Sequence, residues 1–325
     1  MQSTRRAACA ALGLALASAF AAPAFAQAWP AKPIKLVVPF PPGGGTDIIG
    51  RELAQKLAAN TGWTVVIDNK PGSGGNLGVD AAAKSAADGY TVVLGQTSNM
   101  AINPTLYPKL PYDPVKDLTP VSLVASAPMA VVVAADSPYK TLADLVAGAR
   151  AKPTAINFAT SGNGTVAHLA MEQFQAVAGV KMTHVPYKGA AQGATDLIGG
   201  QVQVYVSSVP TLVGHIRNGK MRALAVTSTK RTDDLPQVPT VAETYKGFDA
   251  VTWFGIAGPA RMPPDVVAKL NAEINKALRA PDLLKKLNDQ GADVEGSTPE
   301  QFAKLIQDDV ARWGKVVKAS GAKID

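Results

Sequence analysis

Short β-branched runs alternate with helix-period segments along most of the chain, and that alternation admits few folds. Ile34 to Val38, Val65 to Ile67 and Thr91 to Leu94 suit buried strands. Between them, Asp47 to Ala59 places Ile48, Ile49, Leu53 and Leu57 on one helical face, and Asn76 to Ala86 reads as a second helix. Such a βαβαβ order implies a parallel sheet wrapped by helices.

Val121 to Ala135 breaks the rhythm. It is a long apolar stretch, interrupted by Pro128 and without helical period, and it fits a strand that leaves one lobe for another. The alternation then restarts with strands at 155–159, 182–185, 202–206 and 224–227 and helices at 165–178 and 190–198. Thr252 to Ala257 suits a return crossing. The tail reads as helices at 266–280, 282–290 and 299–319, the last with Phe302, Leu305, Ile306, Val310 and Trp313 near period 3.6. The expectation is a two-lobed α/β protein, each lobe a mixed sheet flanked by helices, with two hinge crossings. Residues 27–126 and 252–325 would form lobe one and residues 127–251 lobe two.

The N-terminus has the plan of a cleaved secretory signal at residues 1–26. Arg5 and Arg6 precede an uncharged run from Ala7 to Ala22, and Ala24-Phe25-Ala26 supplies small residues before a cut near Ala26. A membrane anchor is the alternative, but the run is short and Ala-rich for a span of about 20 strongly apolar residues. Ala7 and Ala8 match a twin-arginine signal poorly. Cys9, the only cysteine, lies in this segment, so thiol catalysis, thiolate metal sites and disulfides are excluded after cleavage. Of the 32 Lys and Arg, 30 lie beyond the signal, against 25 Asp and Glu. They are scattered and not interleaved with aromatics, which argues against a nucleic-acid groove. The mild positive field either attracts an anion or only aids solubility.

In open parallel sheets, ligands sit beyond the C-terminal ends of strands, against helix N-termini. After the first strand comes Pro39-Phe40-Pro41-Pro42-Gly43-Gly44-Gly45-Thr46-Asp47, in which Thr46 suits an N-cap and Asp47 a first-turn position. After the strand at 155 comes Thr160-Ser161-Gly162-Asn163-Gly164-Thr165. Each loop alone is also compatible with a plain turn. One per lobe, they suit the two ends of a small anion. Gln96-Thr97-Ser98-Asn99 after the third strand, Val206-Ser207-Ser208 at the end of a lobe-two strand, and the loops at 71–76 and 186–189 are further candidates of the same kind, among them Thr97, Ser98 and Ser207.

Catalytic patterns are missing. Ser73 and Ser161 do not sit in a G-x-S-x-G elbow, no G-x-G-x-x-G or Walker lysine occurs, and His168, His184 and His215 are not at metal spacing. His168, one turn into its helix, suits packing or capping, or lining the pocket. The expected protein is a receptor and not an enzyme, with no catalytic residue, no metal and no cofactor; a periplasmic hydrolase is the remote alternative.

These segments resemble the Bug receptors, the substrate-binding proteins of tripartite tricarboxylate transporters. The resemblance covers the chain beyond the signal. It rests on the 39–47 loop, on 69–78, Asp88-Gly89-Tyr90-Thr91, 161–165, His184 to Gly189, Gly199-Gly200-Gln201-Val202, Leu224 to Thr227, Leu235 to Thr240 and the Trp253 segment. It implies a type II periplasmic binding-protein fold that closes like a flytrap, and usually a monomer. It implies a ligand among dicarboxylates, tricarboxylates, acidic amino acids and aromatic acids, and membrane permease subunits as partners. By motif position it points to Phe40, Gly44, Gly45, Thr46 and Asp47 in one lobe and to Ser161, Asn163, Gly164 and Thr165 in the other. Gln203, Ala190-Ala191-Gln192 and Ser207-Ser208 depart from the commoner family pattern and bear on ligand identity. A receptor of the same fold serving a sensor kinase, and a scavenger of a non-carboxylate, remain as alternatives.

Overall fold

Strand β1 (Ile34–Val38) carries the burial pattern of a strand covered on both faces, with only Lys35 exposed. The computed structural model describes residues 29–324; the expected signal segment and Cys9 lie outside them. Helix α1 (Gly45–Thr61), β2 (Val65–Asn69), α2 (Asn76–Ala83) and β3 (Thr91–Gln96) follow as the alternation requires. Both β2 and β3 pair parallel to β1. Helix α1 begins two residues before the expected start. Its N-cap is Gly44, which has no side chain to offer, so Thr46 falls in the first turn and is not the cap. Its hydroxyl donates instead to Gln96 Oε1 at 3.3 Å.

A helical turn at Ser98–Ile102 and the short α3 (Asn103–Leu106) lead to β4 (Leu118–Ala134), a 17-residue strand. Pro128 does not interrupt it. Pro128 has no N–H, and it stands where the strand changes neighbours. Before it, β4 runs antiparallel to β9 (Val251–Pro259), ending on the Pro128–Val251 pair. After it, Met129 to Ala134 pair antiparallel with β7 (Val204–Ser208) and β8 (Met221–Val226). The missing donor therefore falls at a junction between ladders.

The second region contains α4 (Leu142–Ala151), β5 (Asn157–Thr160), α5 (Val166–Ala178), β6 (Thr183–Pro186), α6 (Ala190–Ile198) and α7 (Val209–Arg217), with β7 and β8 between and after the last two helices. Strands β6 and β7 flank β5 in parallel. Helix α4 is absent from the periodicity reading. Its signal is a capping box, in which Thr141 accepts from the Asp144 N–H and the Asp144 carboxylate accepts from the Thr141 N–H. After the short α8 (Val241–Thr244), β9 returns antiparallel to β3. Helices α9 (Pro264–Leu278), α10 (Pro281–Asp289) and α11 (Pro299–Ser320) finish the first region, with the two-residue β10 (Asp293–Val294) pairing on β4.

Alternation along β4 distributes its side chains between two cores. Met129, Val131 and Val133 pack in a cluster with Phe158, Phe174 and Trp253, whereas Ala130 and Val132 pack with Tyr205 and Leu212. Trp253 stands edge-on to Phe302 of α11, and its indole N–H donates to buried Asp309 Oδ2 at 2.7 Å. That bond satisfies the one polar group of a large buried side chain and fixes the last helix against the return strand.

Candidate functional site

Four helices begin at one cavity of about 50 Å³. Gly44, Gly45 and Thr46 bring the start of α1, Thr165, Val166 and Ala167 that of α5, Ala190 that of α6, and Ser208 and Thr211 that of α7. Each helix start carries roughly half a positive charge. No charged side chain is among the residues lining the cavity. The field inside is therefore positive without a cation, which favours an anion held by dipoles and hydroxyls.

Two hydroxyls in the wall are unsatisfied. Ser98 Oγ and Thr252 Oγ1 belong to residues 1% and 3% exposed, and neither finds a hydrogen-bond partner among the described residues. A buried hydroxyl without a partner costs about 1–3 kcal/mol, and both of these belong to residues that line the cavity.

The two regions touch directly around this cavity. The Gly45 N–H donates to Thr211 Oγ1 at 3.0 Å, and Ser208 Oγ lies 3.2 Å from the same oxygen. A Cβ at Gly45 would come within 2.5 Å of Ser208 Oγ, and one at Gly189 within 2.8 Å of Pro41 Cγ. Gly164 packs on α3, where a Cβ would meet Leu106 Cδ2 at 2.5 Å.

Of the residues singled out in the sequence, Phe40, Gly44, Gly45, Thr46, Ser98, Ser161, Thr165 and Ser207 line this cavity. Asn163 lines a neighbouring chamber. Asp47, Thr97, Gly164 and His168 line neither. Their polar groups are committed within the protein. Thr97 Oγ1 accepts from the Trp253 N–H at 2.9 Å, which ties β3 to β9. Asp47 is 3% exposed, and its carboxylate accepts from the Gly43 N–H, Arg51 Nε and Asn69 Nδ2 at 2.9–3.0 Å. Burial alone would raise its pKa, but these donors outweigh burial and hold it below the usual carboxylate value. Asp47 thus anchors the 39–47 loop from behind. Asp47→Ala should lower stability by about 2 kcal/mol in urea unfolding, because three donors lose a charged acceptor.

His168 lies under the second loop. Its Nδ1 accepts from the Gly164 N–H at 3.3 Å, and its ring stacks on His184 with centroids 4.1 Å apart. His184 Nε2 lies 2.7 Å from Thr160 Oγ1. Burial pushes His168 down to about 4; burial and the neighbouring His168 push His184 down to about 3. Both rings are neutral in the folded state near neutrality, whereas unfolded histidine protonates near 6.5. Their stabilising effect is therefore complete above pH 6.5 and is lost as pH falls from 6.5 toward 4 and then 3. For His168 the loss is on the order of 3 kcal/mol, at 1.36 kcal/mol per unit. Urea unfolding at pH 7, 6, 5 and 4 should show this decline, and His168→Gln should reduce its slope by about one proton.

Gln96, Met129, Ser208, Thr211 and Thr252 also line the cavity. Gln96 and Ser208 belong to two of the candidate loops read from the sequence. Thr211 carries the signal of a hydroxyl in the first turn after Pro210, and Thr252 that of a polar residue opening an apolar return strand. Met129 carries no signal.

The mixed-sheet α/β architecture with flanking helices is that of the periplasmic binding proteins. The model of the tripartite tricarboxylate transporter family receptor matches residues 49–322. BugT of Bordetella pertussis is 40% identical over 316 residues, covering 96% of this chain and 97% of BugT. An R. palustris protein solved with adipate is 36% identical, with a TM-score of 0.88, covering 91% of this chain and all of that one. The periplasmic binding protein BugD is 32% identical, with a TM-score of 0.87, covering 91% of this chain and 99% of that one. The chain belongs to the tripartite tricarboxylate transporter receptor family.

Proposed function

We propose that this chain is a non-enzymatic periplasmic receptor, exported by a signal cut near Ala26, that captures a small carboxylate between two lobes and delivers it to the permease of a tripartite tricarboxylate transporter. The observation that carries the reading is the meeting of four helix starts with two unpartnered hydroxyls, Ser98 and Thr252, around one cavity without a charged side chain. A carboxylate there accepts hydrogen bonds and gains from the dipoles, while an ammonium would be repelled. The adipate-bound relative supports a carboxylate ligand.

The lobes in this reading are residues 27–126 with 252–325, and residues 127–251. They hinge where β4 and β9 cross near Pro128 and Val251. Ligand touching α1 in one lobe and α5 in the other favours the closed state by its differential affinity. Phe40, Gly44, Gly45, Thr46, Ser98, Ser161, Thr165 and Ser207 make direct contact. Asp47, Thr97, Gly164 and His168 hold those residues in place, and Asn163 meets the far part of the ligand.

The test is native mass spectrometry of freshly purified protein, then titration calorimetry of stripped protein against mono-, di- and tricarboxylates. Release of a carboxylic acid and saturable binding of at least one panel member are expected. Failure of every acid to bind would overturn the reading.

A further inference from the structure

The cavity at the helix starts is too small for a whole ligand. A single water needs roughly 10–15 Å³ of such space, so about 50 Å³ holds a carboxylate, the carbon that bears it and little else. A second chamber of about 580 Å³, within the size range of small-molecule sites, shares Phe40, Pro41 and Ser161 with the first. Its chemistry is different. Prolines 41, 71 and 186 and two aromatic rings line it together with glycines, Ser73, Ser161 and Asn163, and Lys188, exposed to solvent, is its only charged lining residue.

The two rings are held in place, one from each lobe. Phe40 packs on Gly75, whose φ of +93° brings the backbone so close that a Cβ would stand 3.1 Å from the ring. Tyr187 donates its hydroxyl to Asp196 Oδ2 at 2.7 Å, so its polar end is occupied within the protein. A chamber with fixed rings and proline walls recognises an apolar body. The exposed lysine adds little, because solvent screens it.

We infer that the ligand is an elongated carboxylate with an apolar chain or ring, its carboxylate in the inner cavity and its body in the outer chamber between Phe40 and Tyr187. Compact hydroxylated di- and tricarboxylates are then poor ligands, because they are too short to fill the chamber and would set charge and hydroxyls directly beside its two rings. This inference rests on the carboxylate-receptor reading and narrows it to a substrate class.

The test titrates full-length processed protein, stripped of ligand, with butyrate, hexanoate, octanoate, phenylacetate, malate and citrate. Affinity is expected to rise about fourfold per added methylene, the ratio given by about 0.8 kcal/mol for a buried CH₂ at 1.4 kcal/mol per decade. Phenylacetate should bind, and malate and citrate should bind more weakly than hexanoate. In Tyr187→Ala the octanoate-to-butyrate affinity ratio should fall about tenfold, whereas Tyr187→Phe, which keeps the ring, should retain it. Malate or citrate binding best, or affinity independent of chain length, would overturn the inference and leave the carboxylate receptor standing. Binding of none of the acids would overturn both. If Tyr187→Ala does not fold, the chain-length series on the unmodified protein decides the matter.

Discussion

Gly45→Val should weaken binding of the preferred acid about a hundredfold while leaving the melting temperature of the ligand-free protein nearly unchanged. Gly45 is the first residue of α1, and its N–H donates to Thr211 Oγ1 of α7 beside the cavity. A Cβ there would displace Ser208 Oγ, which can rotate. The γ-methyls of valine would then face Pro210 Cβ and Thr211 Oγ1, which already lie 3.6 and 3.5 Å from the Cβ position. Overpacking of this kind costs about 1–3 kcal/mol, and the lost hydrogen bond about 1 kcal/mol more. In the proposed hinge motion, with the lobes apart when no ligand is bound, both fall on the closed state alone, so they appear in affinity at 1.4 kcal/mol per decade and not in unfolding. Calorimetry and a thermal melt measure the two sides. Gly44→Ala should lose far less, since its Cβ would make only an ordinary 3.7 Å contact with Ala190. Unaltered affinity in Gly45→Val would mean that α1 and α7 do not approach each other in the bound form.

Thr252→Val should act in opposite directions on stability and on binding. The Thr252 hydroxyl is buried without a partner among the described residues, and valine has nearly the same shape. Its removal should stabilise the ligand-free protein by about 1 kcal/mol, a rise of roughly 2–4 °C in Tm for a domain of this size. A hydrogen bond to a charged acceptor is worth about 1.5–3 kcal/mol, so affinity for the carboxylate should fall about ten- to hundredfold. Ser98→Ala should follow the same pattern. A lower Tm for ligand-free Thr252→Val would show that the hydroxyl serves the fold and not the ligand.

Much of the architecture is legible in local pattern. The helix at 190–198 lies where its periodicity places it, and β1 spans the residues of its apolar run. The errors have local causes too. A chain of prolines and glycines hides the true start of α1, because Gly44 caps it without a side-chain signal. Helix α4 is marked by capping chemistry more than by its apolar residues. Pro128 reads as an interruption because its missing donor is costly inside a ladder, and the change of partner at that residue is not written nearby in the chain.

Periodicity, caps and glycine-rich turns act over a few residues, so the sequence alone specifies an alternating α/β chain, two long crossings and the loops that follow each strand. It even places hydroxyl-rich loops where helices begin. Which of those groups meet is a long-range matter. Gly45 and Thr211 lie 166 residues apart, and Thr252 joins Ser98 only because β9 returns antiparallel beside β3 and β4. The same packing turns Asp47, Thr97 and His168 away from the cavity and leaves Ser98 and Thr252 unpartnered within it. Burial and desolvation depend on neighbours from the whole chain, and they separate a hydroxyl bonded within the fold from one left without a partner.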